Sequence, residues 1–116
     1  MLTYRDLKVW QKSMLLVKKV YAITKSLPKE ETYALSDQMR RAVISIPSNV
    51  AEGYGRRSDK DFAYFLTIAR GSTFEIETQL QVAIMLGYVN EDQVQESFSL
   101  CDECTKILNA LIKNRS

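Results

Sequence analysis

The sequence predicts an all-α protein, an antiparallel up-down-up-down four-helix bundle whose second helix is kinked at Pro47. Three observations point there. Apolar residues recur at steps of three and four through four long segments, and no stretch alternates with the period of two that a half-buried strand needs. Four glycines and two prolines in 116 residues leave few places to turn, so the elements must be few and long. An apolar fraction of 46% is enough to fill a core. Short connections between four helices favour antiparallel neighbours. Residues 1–116 read as one domain of ordinary size.

The first helix is expected over residues 6–26. Leu7, Trp10, Met14, Val17, Tyr21 and Thr24 form its seam, and Ser26-Leu27-Pro28 stops it. The second is expected over residues 31–52, with Pro47 inside it. A proline there removes one backbone hydrogen bond and costs roughly 3 kcal/mol. Yet Leu35, Met39, Ala42, Ile46 and Val50 keep one phase on both sides of it, which argues for a single bent helix. Gly53-Tyr54-Gly55 ends this helix, with glycine available for a left-handed cap. The third helix starts at Ser58, whose hydroxyl can cap, and Asp61 sits near its positive end. Its seam is Phe62, Leu66, Ala69, Thr73, Ile76, Leu80, Ala83 and Gly87. The fourth begins after Asn90, where Gln93 completes a capping pattern, and its seam is Val94, Phe98, Cys101, Thr105, Leu108 and Ile112.

Two helices carry a second apolar stripe: Val9, Leu16, Val20 and Ile23 on the first, and Leu100, Cys104, Ile107 and Leu111 on the fourth. Either each helix buries one wide face, or the second stripe packs against another subunit. Large apolar patches usually mark interfaces, so self-association through Leu100, Cys104, Ile107 and Leu111 is the expectation.

The composition narrows the chemistry. There is no histidine, which removes the commonest general base and metal ligand at neutral pH. Cys101 and Cys104 are three apart, a spacing found in redox and half-zinc motifs, but no second pair completes a metal site. Cys101 lies in the apolar phase, so both cysteines read as core residues. Two reduced thiols suit the cytoplasm. The N-terminal residues carry no apolar segment of the kind a secretory signal needs, and no apolar run is long enough to span a membrane. No cofactor and no enzymatic activity is expected. Glu52, Glu75 and Glu77 have no nucleophile or base pattern around them.

A polar seam follows the same helical steps along the second helix: Gln38, Arg41, Ser45, Asn49 and Glu52. The third helix offers Arg70, Ser72, Glu75 and Gln79. This is either a solvated face or a polar network joining helices or subunits. Arg41 and Glu52 are too far apart to pair, so Glu75 and Glu77 are the candidate partners of Arg41.

Net charge is only +2, but it is uneven. Residues 1–29 hold seven basic and one acidic side chain, and residues 91–103 hold five acidic and none basic. In an up-down bundle Lys18, Lys19 and Lys25 would face Glu91, Asp92 and Glu96 as weak surface pairs. At the opposite end the N-terminus, the loop after the second helix and the C-terminus should meet. They would bring together Arg5, Lys8, Arg56, Arg57, Lys60, Lys113 and Arg115, against Asp6, Glu52, Asp59 and Asp61, with Tyr54 as a stacking group. Such a field attracts nucleic-acid phosphates without reading sequence, although a basic patch can also be plain solvated surface. Arg5, Arg56, Arg57, Lys60 and Lys113 are the candidate phosphate-binding residues.

Three segments carry a family resemblance: residues 38–53 (Gln-Met-Arg-Arg-Ala-Val-Ile-Ser-Ile-Pro-Ser-Asn-Val-Ala-Glu-Gly), Asp6-Leu7-Lys8-Val9-Trp10-Gln11-Lys12, and Ala69-Arg70-Gly71-Ser72 with Glu75 and Glu77. The chain resembles, over nearly its whole length, the bacterial four-helix-bundle family whose first-known members are encoded in intervening sequences of 23S ribosomal RNA genes. The resemblance implies the bundle fold. That family is in turn similar to the accessory protein of diversity-generating retroelements, a pentameric barrel that works with a reverse transcriptase. The resemblance therefore implies a homopentamer, an RNA or DNA partner, and a reverse transcriptase as a candidate protein partner. Two function classes follow: a nucleic-acid-binding oligomeric module, and an oligomeric scaffold that binds protein through its outer faces.

Overall fold

The computed structural model describes residues 2–115. A short 3-10 turn at Tyr4–Asp6 leads into α1 (Lys8–Thr24), a second 3-10 turn at Lys29–Glu31 leads into α2 (Leu35–Tyr54), and α3 (Asp59–Met85) and α4 (Glu91–Lys113) follow. No strand occurs among the described residues. Each helix packs on its neighbours in the chain, and α1 closes the ring on α4, while the diagonal pairs stay apart. The result is an up-down-up-down bundle of 43 × 25 × 24 Å, its long dimension set by α3, whose 27 residues span about 40 Å.

The helix starts follow local chemistry. Ser58 Oγ accepts from the Asp61 amide at 3.1 Å. Asn90 and Gln93 cap each other, with both bonds at 2.9 Å. At the N-terminus of α2 the expected start at residue 31 gives way to Leu35. Ala34 has non-helical dihedrals and no side-chain cap, and the Glu31 carboxylate accepts from the Leu35 amide at 3.3 Å instead. α2 then runs unbroken through Pro47, whose ring is buried. Proline has no N–H, so the Val43 carbonyl loses its usual donor. One turn further on, Asn49 Nδ2 donates to the Ser45 carbonyl at 2.8 Å.

The predicted seams of α2 and α3 are buried except at Leu35, which is half-buried, and at Gly87. Gly87 is not a seam residue but the terminator of α3: its φ is 78°, and the Gly87 and Tyr88 amides donate back to the Ile84 and Ala83 carbonyls, both at 2.9 Å. The expected left-handed cap after α2 is absent. Gly55 is right-handed with φ −78°, and Gly53 is buried inside the last turn. Gly53 serves a different purpose. A Cβ there would lie 2.7 Å from Phe65 Cβ and 2.9 Å from Phe62 Cδ1, so only glycine lets α2 and α3 approach this closely.

Two apolar stripes resolve differently from expectation. On α1 the interior face is Val9, Ser13, Leu16, Val20, Ile23 and Thr24. The stripe read as the seam sits at the margin: Trp10, Val17 and Tyr21 are half-buried, and Met14 is 43% exposed. On α4 both stripes go inward. Leu100 and Cys104 are buried within the single chain, and Ile107 and Leu111 pack on the core. Leu100 and Cys104 are thus covered by α1 and α3 without a second subunit, while Ile107 and Leu111 stay half-buried at the margin of the same face.

Both cysteines are free and buried. Burial pushes the Cys104 thiol up to about 11 and the Cys101 thiol higher still, with Glu77 adding to the latter. Neither is poised to react, and no group of three potential ligands capable of holding a metal occurs among the described residues. Among the described residues no helix is long and apolar enough to cross a membrane.

Candidate nucleic-acid interface

The expected meeting of three segments at one end of the bundle takes place. Tyr4 and Ala51 line one groove, which joins the N-terminal turn to the last turns of α2. The Arg115 guanidinium lies 4.8 Å from the centroid of Phe62, which joins the C-terminus to the start of α3. The α2–α3 loop, residues 55–58, lies between them.

Among the five candidate phosphate-binding residues, Arg57, Lys60 and Lys113 are exposed and make no ion pair among the described residues. Arg5 is exposed and lies over the Tyr4 ring at 5.3 Å. Arg56 is held: it donates to Glu52 at 3.1 Å and lies 4.7 Å from the Phe65 centroid. Such a stack holds a guanidinium plane in place while leaving its outer donors free.

Two cations of α1 are paired with α4. Lys19 pairs with Glu96 across α1 and α4, and its ammonium holds the Glu96 carboxyl below its ordinary range. Lys12 pairs with Glu103 at 3.1 Å, a pair the sequence reading missed. The expected Lys18 and Lys25 make no such contact.

The polar seam is partly a network and partly a solvated face. Ser45 Oγ and Ser72 Oγ share a 2.7 Å hydrogen bond between α2 and α3, and Asn49 Nδ2 donates to Ser45 Oγ at 3.0 Å. The remaining members do not join it. Arg41 pairs with Asp37 one turn back, at 3.0 Å, rather than with Glu75 or Glu77. Glu52 pairs with Arg56. Glu75 has only a 3.5 Å contact with Gln79, and Gln38 is exposed with no side-chain bond among the described residues. The local i,i+4 partners win because they need no long side chain to be ordered across a helix interface. Glu77 instead faces α4, where burial and the Asp102 carboxylate raise its pKa. Arg70 bridges to Asn109 of α4 at 2.9 Å.

Two features escaped the sequence reading. One is the pairing of Arg56 of the loop and Arg115 near the C-terminus with phenylalanines of α3. The spacing of Lys60 and Tyr64, one turn apart, was a signal for an aromatic face beside the cations. The other is a groove between α1 and α2, about 310 Å³, lined by Tyr4, Trp10, Met14, Val17, Ile44, Pro47, Ser48 and Ala51.

Comparison with known proteins bears on this geometry. The family model described as 23S rRNA-intervening sequence protein matches residues 5–110. A crystal structure from Bacteroides thetaiotaomicron VPI-5482, a protein of unknown function from the S23 ribosomal protein family, is similar at 28% identity and a TM-score of 0.83. The similarity covers 90% of this chain and 98% of that one. No curated protein matches the chain.

Proposed function

The chain belongs to the 23S rRNA-intervening sequence protein family, and from that premise we propose that it is a non-enzymatic, self-associating helical module that grips nucleic-acid phosphates with the basic end of its bundle. One observation carries the reading. Arg57, Lys60 and Lys113 make no ion pair among the described residues at the end where the termini and the α2–α3 loop meet, while two lysines of α1, Lys12 and Lys19, find carboxylates on α4. Cations left free on one surface are available to displace the counterions of a phosphate backbone.

Assembly as a homopentamer, implied by the resemblance, would repeat this end around an axis. A second contact would then be intramolecular and add avidity. The groove between α1 and α2 is a candidate surface for self-association, because its lining is mostly apolar and includes the exposed Met14 and Ile44. That same groove supports the second reading, a scaffold that holds a protein partner such as a reverse transcriptase without touching nucleic acid itself.

The test is a binding titration with RNA and DNA at about 50 and about 200 mM salt. Affinity should fall steeply with salt. Replacing Arg56, Arg57 and Lys60 together by Ala should lower the logarithmic salt slope by about 2, since each phosphate contact contributes about 0.7 to 0.9. Wild-type protein that binds neither nucleic acid at low salt would refute the phosphate reading and leave the scaffold.

A further inference from the structure

The α2–α3 corner sets Arg56, Arg57 and Lys60 among Glu52, Asp59 and Asp61, and it also holds two tyrosines. Tyr64 is 63% exposed and Tyr54 is 37% exposed. Neither ring is loose. Tyr64 meets Phe65 edge-on, with centroids 5.4 Å apart and planes at 83°. Tyr54 meets Phe62 in the same way, at 6.0 Å and 86°. Each of those phenylalanines carries an arginine on its ring, Arg56 on Phe65 and Arg115 on Phe62. Two tyrosines are thus fixed by right-angle packing while much of their surface stays in water. Lys60 lies one turn before Tyr64 on α3 and is exposed with it, and Arg57 lies in the loop between the two rings.

An aromatic ring in water beside unpaired cations matches a strand whose bases are free. In a duplex the base faces are stacked on one another, and a protruding tyrosine finds only sugar and phosphate. In a single strand each base offers a face to a ring while the backbone runs past the cations. Stacking of this kind tolerates any base, because every base has a π-face.

We propose that the α2–α3 corner selects single-stranded RNA or DNA over duplex, with Tyr64 and Tyr54 stacking on unpaired bases and Arg57 and Lys60 holding the adjoining phosphates. The proposal rests on the phosphate-binding reading above and narrows its substrate class. Tyr64 carries the greater share, because more of its ring is free.

The experiment is fluorescence anisotropy with labelled oligonucleotides of one length: single-stranded RNA, single-stranded DNA, and the duplex of each. Wild type should bind both single strands more tightly than either duplex. Tyr64→Ala should weaken single-strand binding about tenfold to a hundredfold, with the salt slope unchanged and duplex binding little altered. Tyr64→Phe should bind as wild type does, because the ring remains. Arg57→Ala with Lys60→Ala should instead lower the salt slope for every oligonucleotide. Equal affinity for single strand and duplex would overturn the proposal. So would a Tyr64→Ala protein that binds single strands normally. Either result, with salt-sensitive binding retained, leaves the phosphate reading standing. Absence of binding to all four oligonucleotides at low salt removes both.

Discussion

Gly53→Ala adds one methyl group where α2 and α3 approach most closely at any glycine of the chain. Its Cβ would stand 2.7 Å from Phe65 Cβ, against an optimal carbon–carbon separation of about 3.5–4.0 Å. The shortfall is about 1 Å, and rotating a side chain cannot relieve it, because Phe65 Cβ is fixed to its backbone. Phe62 Cδ1 at 2.9 Å can swing away, but the Phe62 carbonyl at 3.3 Å cannot. The helices must part, or the last turn of α2 must unwind. Overpacking of this kind costs about 1–3 kcal/mol. Replacing a helical glycine with alanine recovers up to about 1 kcal/mol, less here because Tyr54 already ends the helix. The net loss is about 1–2 kcal/mol, a fall of about 3–10 °C in Tm for a domain of this size. Gly71 supplies the control. It lies mid-helix in α3, exposed, and a Cβ there meets nothing within 4 Å. Gly71→Ala should raise stability by about 0.5–1 kcal/mol. The assay is thermal unfolding followed by far-ultraviolet circular dichroism. A Gly53→Ala protein as stable as wild type would refute the claim that steric approach, and not helix ending, is why glycine stands at 53.

Two further outcomes are expected. The Cys104 thiol is raised to about 11 in the fold, from an ordinary value of 9.0, by burial first. Its contribution to stability is therefore complete below pH 9 and is lost as pH rises towards 11; urea unfolding of wild type against Cys104→Ala across this window should show the difference shrinking. Ile44→Glu places a charge at the mouth of the α1–α2 groove, where Ile44 is 41% exposed, so the monomer should still fold. Light scattering should then show wild type at about five times the 13.3 kDa chain mass and the variant mostly dissociated; a monomeric wild type would remove the pentamer.

How much of this could be read from the chain differs from helix to helix. On α2 the apolar and polar faces are distinct, so the periodicity identifies the buried side directly, as Met39 and Ile46 show; on α3 the seam through Leu66 and Ile76 is legible, although Ile68 and Phe74 are exposed and Ser72 and Gln79 are buried. α1 was ambiguous for a local reason. Val9 and Trp10, Leu16 and Val17, Val20 and Tyr21 are adjacent pairs, so two apolar stripes lie about 100° apart and both satisfy a helical period. Which one turns inward is decided by the neighbouring helices. α4 carries the same doubled pattern, yet there Val94, Ser97, Leu100, Cys101, Cys104 and Leu108 of both stripes are buried against α1 and α3.

The candidate site divides along the same line. Topology alone brings the cations of the α2–α3 loop and the C-terminus to one end, and four-helix connectivity was legible. What the rings do there was not, because the partners of Arg56 and Arg115 are set by how close α2 comes to α3. Gly53 controls that distance and stands one residue from Tyr54. The methyl-free contact that lets Phe62 and Phe65 press on α2 also sets those two rings as the props for Tyr54, Tyr64 and both arginines. The corner's geometry is thus inherited from the close α2–α3 contact at Gly53 and not from the loop itself. It follows that Gly53→Ala should disturb the aromatic corner as well as stability, whereas Gly71→Ala should change stability alone.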